Sequence, residues 1–302
     1  MSLDSDARID RQSLKRRLAF WQVLAVLALA LLLLGAAGRL WAPVRGPYIA
    51  RLDISGVIVN DRDREETLRK IAQDDRIRAL LVHIDSPGGT MVGGEALYRA
   101  LRRVAVRKPV VAVLDTVAAS GGYMVAIATD HIVAREGTVT GSIGVIFQTA
   151  EITTLLERLG IETAAIKSAP LKAAPSPLEK LTPEVREATQ VLVDDMFALF
   201  IDMVAERRGM GREEARALAD GRVFTGRQAL ANRLVDALGG EEEGLAWLGR
   251  ERGLDAGLPI RDIAPPESPL WRWAVEGFLG KTVFSERLTL DGLVALWHPQ
   301  LP

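Results

Sequence analysis

The sequence predicts an α/β fold with a parallel sheet, preceded by one N-terminal transmembrane helix. A strand, a glycine turn and a helix follow one another twice, first over residues 78–106 and then over residues 110–128. The earlier of the two strands, RALLVHID at 78–85, is a nearly continuous apolar run, as expected for a parallel strand covered on both faces. Near the N-terminus, residues 18–38 contain no charged side chain, and about 20 such residues suffice for a helix to cross a bilayer.

The N-terminal segments predict the orientation in the membrane. A basic cluster, Arg11 and Lys15 to Arg17, precedes the apolar run, so the positive-inside rule keeps residues 1–17 in the cytoplasm as a tail. Residues 39–47 then form a linker, and everything beyond lies outside. A cleavable signal peptide with a cleavage zone at Ala36–Gly38 is the alternative. The apolar run is longer than a usual signal-peptide core, which favours an uncleaved anchor at 18–38.

Composition excludes several classes of function. The chain of 302 residues has a formal net charge of −1, so no overall basic field points to nucleic acid as a partner. Cysteine is absent, which excludes disulfides, zinc–thiolate sites and a cysteine nucleophile. With only three histidines, His83, His131 and His298, a histidine-rich metal site is not expected. We expect neither a cofactor nor a metal.

One catalytic unit is predicted over residues 48–245, because the glycine motifs occur without a tandem copy. The extension 246–302, rich in tryptophan and phenylalanine, has no assigned role. A long helix is predicted between Thr182 and Gly209. Thr182 is its N-cap, Pro183 lies in its first turn, and Gly209 ends it. The other predicted elements are strands at 48–54, 162–166 and 234–238, helices at 65–73, 151–159, 212–219 and 227–232, a sharp turn at Ser86–Gly89 and a proline-broken loop at 167–180.

Ser120 is the candidate nucleophile. It lies in the small-residue turn Ala118–Gly122, between an apolar strand and a short apolar helix. A turn from a strand into a helix exposes a hydroxyl and places it at free N–H groups of the helix start. The alternative is an ordinary glycine turn of an α/β core.

A nucleophilic serine needs a base, and no histidine is well placed by sequence for a triad. A lysine accepts a proton only when it is neutral, which requires a pKa lowered by burial. Lys172 has the most apolar surroundings, whereas Lys167 and Lys180 have more polar neighbours. An exposed loop lysine is the alternative for Lys172.

Acyl transfer also needs donors for an oxyanion. Gly88 and Gly89 can direct backbone N–H groups without obstruction by a Cβ, and the N–H of Gly121 directly follows the nucleophile. Ser142 lies in a second glycine-flanked turn, GSIGV. Its hydroxyl could hold the lysine amine, act as a rival nucleophile or belong to a simple turn.

These stretches carry a family resemblance that extends from about residue 48 to residue 245. They are IDSPGG at 84–89, AASGGY at 118–123, TGSIGV at 140–145, the lysine loop 167–177, DGRVFTG at 220–226 and LVD at 234–236. As an ordered set, they resemble the signal peptide peptidase A family, which are membrane-anchored serine proteases. Any single one of these glycine motifs would be weak evidence.

The resemblance implies a Clp protease/crotonase-like fold, a repeated ββα superhelix, and a Ser-Lys dyad. Ser120 matches the nucleophile, Lys172 the general base and Ser142 the residue that supports the lysine. It further implies a homo-oligomer with active sites shared between subunits, and signal peptides and other apolar peptides as substrates. The location implied is the bacterial cytoplasmic membrane, with the catalytic domain on its periplasmic side and the lipid bilayer as a partner.

Two other functions fit parts of the pattern. A crotonase-like acyl-CoA enzyme would share the fold and the glycine turns, but acyl-CoA is cytoplasmic and the predicted anchor places the domain outside. A non-catalytic membrane scaffold would not need the serine and the lysine.

Overall fold

A computed structural model describes residues 20–32, 46–255, 257–263 and 293–296. The chain divides into two compact units, residues 1–46 and 47–302. In the first, residues 20–32 form helix α1, whose side chains are exposed. None of the helices that the structure describes has both the length and the apolar composition needed to cross a membrane. The rest of the predicted anchor 18–38, the tail 1–17 and most of the linker 39–47 lie outside the described residues.

The second unit is a mixed α/β fold with one ten-stranded sheet among the described residues. Its strands are β1 Tyr48–Ile58, β2 Ile77–Thr90, β3 Val110–Ala119, β4 His131–Ala134, β5 Val139–Gly141, β6 Ile146–Phe147, β7 Val223–Thr225, β8 Ala237–Leu238, β9 Ile260–Asp262 and β10 Leu293–Leu296. Its helices are α2 Arg62–Gln73, α3 Met91–Ala105, α4 Gly121–Ala126, α5 Thr153–Arg158, α6 Pro183–Arg208, α7 Arg212–Leu218, α8 Gly226–Ala231 and α9 Glu241–Arg252.

The centre of the sheet is parallel, as the sequence predicts. Strand β2 lies between β1 and β3, and β3 pairs with β4 and then β5, all in parallel. Consecutive residues of β2, Leu80 to Val82, are fully buried, because both faces of the strand are covered. One face carries helix α9, whose Leu248 packs on Ile49, Leu81 and Val111.

The predicted end signals of the long helix α6 are confirmed. The Thr182 side chain accepts a hydrogen bond from the Val185 N–H, and Pro183 occupies the first turn. Gly209 ends the helix at φ 59°, a left-handed conformation that glycine adopts at little cost.

Two predicted elements are wrong. Ser86–Gly89 does not form a sharp turn, because strand β2 continues through it as far as Thr90. The Ser86 hydroxyl donates to the Gly56 carbonyl of β1 at 2.6 Å, which ties the segment to the neighbouring strand. Residues 162–166 are exposed and form no strand, because no strand of the described sheet pairs with them.

Folded structure extends past residue 245, where the predicted catalytic unit ends. Helix α9 covers the core, and β9 pairs in parallel with β1. Near the C-terminus, β10 pairs in antiparallel orientation with both β2 and β6. Part of the predicted extension 246–302 therefore contributes to the sheet.

Candidate active site

Three parallel strands end at one edge of the sheet and bring most of the predicted site residues together. In the register of β2 and β3, Ser86 lies opposite Ala118, and in that of β3 and β5, Ala119 lies opposite Gly141. Gly88 and Gly89 come shortly after Ser86 in β2. Ser120 directly follows Ala119, and Ser142 directly follows Gly141. The candidate oxyanion donors and both serines therefore share one edge of the sheet.

Ser120 forms the whole turn between β3, which ends at Ala119, and α4, which begins at Gly121. Its backbone has φ 55° and ψ −117°, which is a strained conformation for a residue that carries a Cβ. The Ser120 N–H donates to the Gly141 carbonyl at 2.8 Å, and its carbonyl accepts from the Met124 N–H at 2.9 Å. These bonds hold the backbone in the strained turn that is typical of a nucleophilic serine.

The side chain of Ser120 has no hydrogen-bond partner in the described part of the chain. The residue as a whole is only 1% exposed, but its oxygen is not among the fully buried side-chain atoms of the described residues that lack a partner, so it keeps some access to solvent. An unpartnered hydroxyl on a strained turn is therefore available for chemistry.

The start of α4 lies directly against β2. A Cβ on Gly122 would lie 2.8 Å from the Ser86 carbonyl oxygen, which explains the second glycine of the AASGGY stretch. The N–H groups of the first helical residues, Gly121 among them, have no partner within the helix. They lie next to the hydroxyl of Ser120.

The glycines of β2 permit close approach of two strands. A Cβ on Gly89 would lie 1.8 Å from the Ile58 carbonyl oxygen of β1, so only glycine fits there. Gly88 has φ 113°, and its N–H donates to the Ser86 hydroxyl at 3.1 Å. The backbone N–H of Gly88 is therefore already hydrogen-bonded within the chain.

Ser142 follows β5 in a second strained turn, with φ 49°. Its N–H donates to the Arg222 carbonyl at 2.8 Å, next to the antiparallel pairing of β5 with β7. The Ser142 hydroxyl, like that of Ser120, has no partner among the described residues. Two free hydroxyls thus follow neighbouring strands.

Lys172 lies apart from this network in an exposed loop. Its backbone N–H donates to the Ala169 carbonyl at 3.1 Å. Its side-chain amine contacts no hydrogen-bond or ion-pair partner in the described regions. The other two loop lysines differ, since Lys167 pairs with Glu179 and Lys180 pairs with Glu157. Lys172 therefore has the only uncommitted amine of the three, and within one chain it lacks the burial that a neutral lysine needs.

The histidines that the structure describes have other contacts. His83 lies between Asp115 and Glu241, with its ring nitrogens 3.2 and 2.8 Å from their carboxylate oxygens. The ring of His131 stacks on that of Trp247, with ring centroids 4.7 Å apart. Burial lowers the pKa of His131 below its ordinary value. Neither histidine is hydrogen-bonded to Ser120, and His298 lies outside the described residues.

A cleft of about 340 Å³ lies between β6, the lysine loop and α6. Its wall combines apolar side chains, among them Ile146, Phe147, Pro175, Leu181 and Val193, with the polar side chains of Thr149, Arg186, Thr189 and Gln190. Ile166, directly before the lysine loop, and Leu171 within it also have exposed apolar side chains. This side of the protein offers apolar surface for a peptide or for another protein chain.

Two residues support the site without having been singled out by sequence. The Ser86 hydroxyl joins the Gly88 N–H to the Gly56 carbonyl, and the Thr140 hydroxyl donates to the Ala118 carbonyl at 2.7 Å. Both are buried. In the sequence, only their positions point to such a role. Ser86 precedes the segment Pro87–Gly89, and Thr140 precedes Gly141 at the end of β5.

The α/β sheet and the residues at its serine-bearing edge define a class of protein, the hydrolases with a serine nucleophile. Residues 102–255 match the model of peptidase family S49. The chain belongs to peptidase family S49 and is a serine peptidase.

Three curated relatives agree with this assignment. A putative protease of Synechocystis sp. is 39% identical over 226 residues, which cover 74% of this chain and 81% of the relative. A putative signal peptide peptidase SppA of Enterococcus faecium is 34% identical, over 68% of this chain and 64% of its own. The chloroplastic serine protease SPPA of Arabidopsis thaliana is 31% identical, over 85% of this chain and 38% of its own. The comparisons favour a peptidase over the acyl-CoA enzyme and scaffold alternatives.

Proposed function

We propose that the protein is a membrane-anchored endopeptidase with a Ser-Lys dyad, which degrades cleaved signal peptides and other apolar peptides at the outer face of the cytoplasmic membrane. The observation that carries the proposal is the free hydroxyl of Ser120 on a strained turn, next to the start of α4 and the glycines of β2. In this proposal residues 18–38 are the anchor, and the domain has the repeated ββα superhelix of Clp proteases and crotonases.

Each residue has a defined step in the reaction. The Ser120 oxygen attacks the carbonyl carbon of the substrate while the neutral amine of Lys172 takes the hydroxyl proton. The N–H groups of Gly89 and Gly121 stabilise the oxyanion. Lys172 then gives the proton to the leaving amine, and water hydrolyses the acyl-enzyme by the same route. The Ser142 hydroxyl holds the lysine amine in position between these transfers.

The exposure of Lys172 supports a site completed between subunits. A lysine amine open to water remains protonated at neutral pH and cannot act as a base. Docking of the loop onto the serine edge of a neighbouring copy would remove the amine from water, and burial in apolar surroundings favours the neutral form of a lysine. The exposed apolar side chains of Leu171 on this loop and of Ile166 directly before it are suited to such a contact. The partner is therefore a second copy of this chain, in a homo-oligomer.

The substrate class follows from the cleft at β6 and from the relatives. Six of the residues that line the cleft are apolar and one, Arg186, is charged, which suits small and apolar side chains. One relative is named a putative signal peptide peptidase, and signal peptides have apolar cores. No nucleic acid is expected as a partner.

The test uses two inactive variants separately and mixed. Ser120→Ala and Lys172→Ala should each lower the hydrolysis of an apolar peptide by about 10⁶-fold, as loss of the nucleophile or the general base does in another serine protease. If serine and lysine come from neighbouring subunits, an equal mixture of the two should recover roughly a quarter of the wild-type activity, because one site in four combines an intact serine with an intact lysine.

The matched control is Lys180→Ala, which removes a loop lysine that already pairs with Glu157. It should retain activity. Full activity in Ser120→Ala would refute the assignment of the nucleophile. Two inactive variants with no recovery on mixing would place both residues of each site in the same chain.

A further inference from the structure

Strand β10 lies in a slot of the sheet beside the candidate active site. It pairs in antiparallel orientation with Gly88, Gly89 and Thr90 of β2 on one side. On its other side it pairs with Ile146 and Phe147 of β6. Four residues near the C-terminus of the chain, Leu293–Leu296, thus fill the gap between two strands that belong to the site region.

The slot exists because β3 leaves the sheet at the nucleophile. Up to Ser86, the neighbour of β2 is β3, with Ser86 opposite Ala118. After Ala119 the chain turns at Ser120 into α4, and β2 continues without that neighbour. From Gly88 to Thr90 the neighbour is β10, with Leu296 opposite Gly88 and Ala295 opposite Gly89. The slot therefore begins next to the turn of Ser120.

A slot between two strand edges binds an extended peptide through main-chain hydrogen bonds. Main-chain hydrogen bonds do not depend on side chains, so peptides of many different sequences can form them. Only one strand can occupy the slot at a time. Whatever lies there excludes another peptide from the edge that carries Gly89 and adjoins Ser120.

We propose that Leu293–Leu296 occupy the peptide-binding slot of the resting protein and compete there with substrate, an inference that rests on the proposed function. The segment has the sequence LVAL, which is uncharged and apolar, as the proposed substrates are. It belongs to the same chain, so its effective concentration at the slot is high even where its intrinsic affinity is modest. Substrate binds only after β10 has left.

The expected size of the effect follows from the occupancy of the slot. A site that is free for a fraction of the time has its apparent affinity lowered by that fraction. A slot occupied nine-tenths of the time would raise KM for a peptide about tenfold and leave kcat unchanged. Displacing β10 should reverse this change.

The experiment uses proline substitutions in the full-length protein. In an antiparallel strand, successive N–H groups point to opposite sides, so one of Val294→Pro and Ala295→Pro removes a bond to β2 and the other a bond to β6. Each should lower KM by up to about tenfold with kcat unchanged. The matched control is Val294→Thr, which keeps the backbone N–H and the shape of the side chain, and it should retain the wild-type KM.

Hydrogen exchange at residues 88–90 provides a readout that does not need activity. Exchange there should be slow in wild type and in Val294→Thr, and about tenfold faster in the proline variants. This measurement can also be made on Ser120→Ala, which separates the two proposals. If Ser120→Ala is as active as wild type, the proposed function fails, while exchange still reports whether β10 occupies the slot.

Three outcomes would overturn the inference. Fast exchange at residues 88–90 in wild type would show that the slot is empty. Faster exchange in the proline variants with an unchanged KM would show that substrate does not use the slot. A large loss of stability in these variants, again with an unchanged KM, would make β10 an ordinary structural strand.

Discussion

The strained backbone of Ser120 predicts an unusual response to glycine. At φ 55° and ψ −117°, a residue with a Cβ costs about 1–3 kcal/mol, whereas glycine adopts the mirror-image region freely. Ser120→Ala keeps the Cβ and therefore the strain. Ser120→Gly removes both, so it should be at least as stable as Ser120→Ala although both are inactive.

Ala119 provides the reference, since it is fully buried in β3 and is not among the residues with positive φ. Ala119→Gly loses a buried methyl and increases the entropy of the unfolded chain, at a cost of roughly 1.5 kcal/mol in total. The same costs apply at position 120, but there relief of about 2 kcal/mol of strain offsets them. We therefore expect the alanine-to-glycine change to cost about 2 kcal/mol less at position 120 than at position 119.

The assay is urea-induced unfolding of the three variants and wild type in detergent solution, followed by tryptophan fluorescence. The free energy of unfolding comes from linear extrapolation. Equal costs of the alanine-to-glycine change at the two positions would refute the reasoning, because they would show that Ser120 carries no strain.

Three further predictions concern residues around the site and the core. Gly89→Ala should lower the free energy of unfolding by roughly 3 kcal/mol or more, because its Cβ would lie 1.8 Å from a backbone oxygen of β1. Gly137→Ala, where nothing lies within 4 Å of the added carbon, should change it by less than about 0.5 kcal/mol in the same titration. Tyr123→Phe should cost roughly 1–3 kcal/mol in thermal unfolding, since the buried hydroxyl donates to a carbonyl at 2.9 Å that would lose its partner; an unchanged midpoint would contradict this. Burial lowers the pKa of His131 below its ordinary value of 6.5, so the unfolded chain binds this proton more readily than the folded one. The free energy of unfolding should therefore fall as pH drops below about 6.5, and His131→Gln should show a shallower fall between pH 7.5 and 5.

Much of the site could be predicted from the sequence because its signals are local. A buried parallel strand followed by small residues and a short apolar helix places Ser120 at a turn whatever the rest of the chain does. Parallel strands that follow one another end at the same edge of a sheet, which brings Ser142 close to Ser120. The glycines of β2 were predicted to serve the site, and the structure places them at this edge.

The sequence did not predict the features that depend on distant partners. Ser86–Gly89 has the composition of a turn, yet it belongs to strand β2, because β1 and β10 pair with Gly88 and Gly89 on either side. Residues 162–166 have the composition of a strand, but no neighbouring strand pairs with them. The pairing of Leu293–Leu296 with β2 joins residues about 200 positions apart, and four apolar residues carry no sign of it. Lys172 has apolar neighbours in the sequence, but the residue is exposed in the structure, so the burial that we propose for it would have to come from another chain.

The unequal packing of the two halves of the proposed dyad has a consequence for heat resistance. Ser120 directly follows strand β3, in which Val110 to Leu114 are fully buried, whereas residues 168–173 of the lysine loop are exposed. Segments with few buried contacts open at lower temperature than the strands of a core. Warming should therefore abolish the peptidase activity while the sheet is still folded. Cooling should restore the activity without refolding of the sheet.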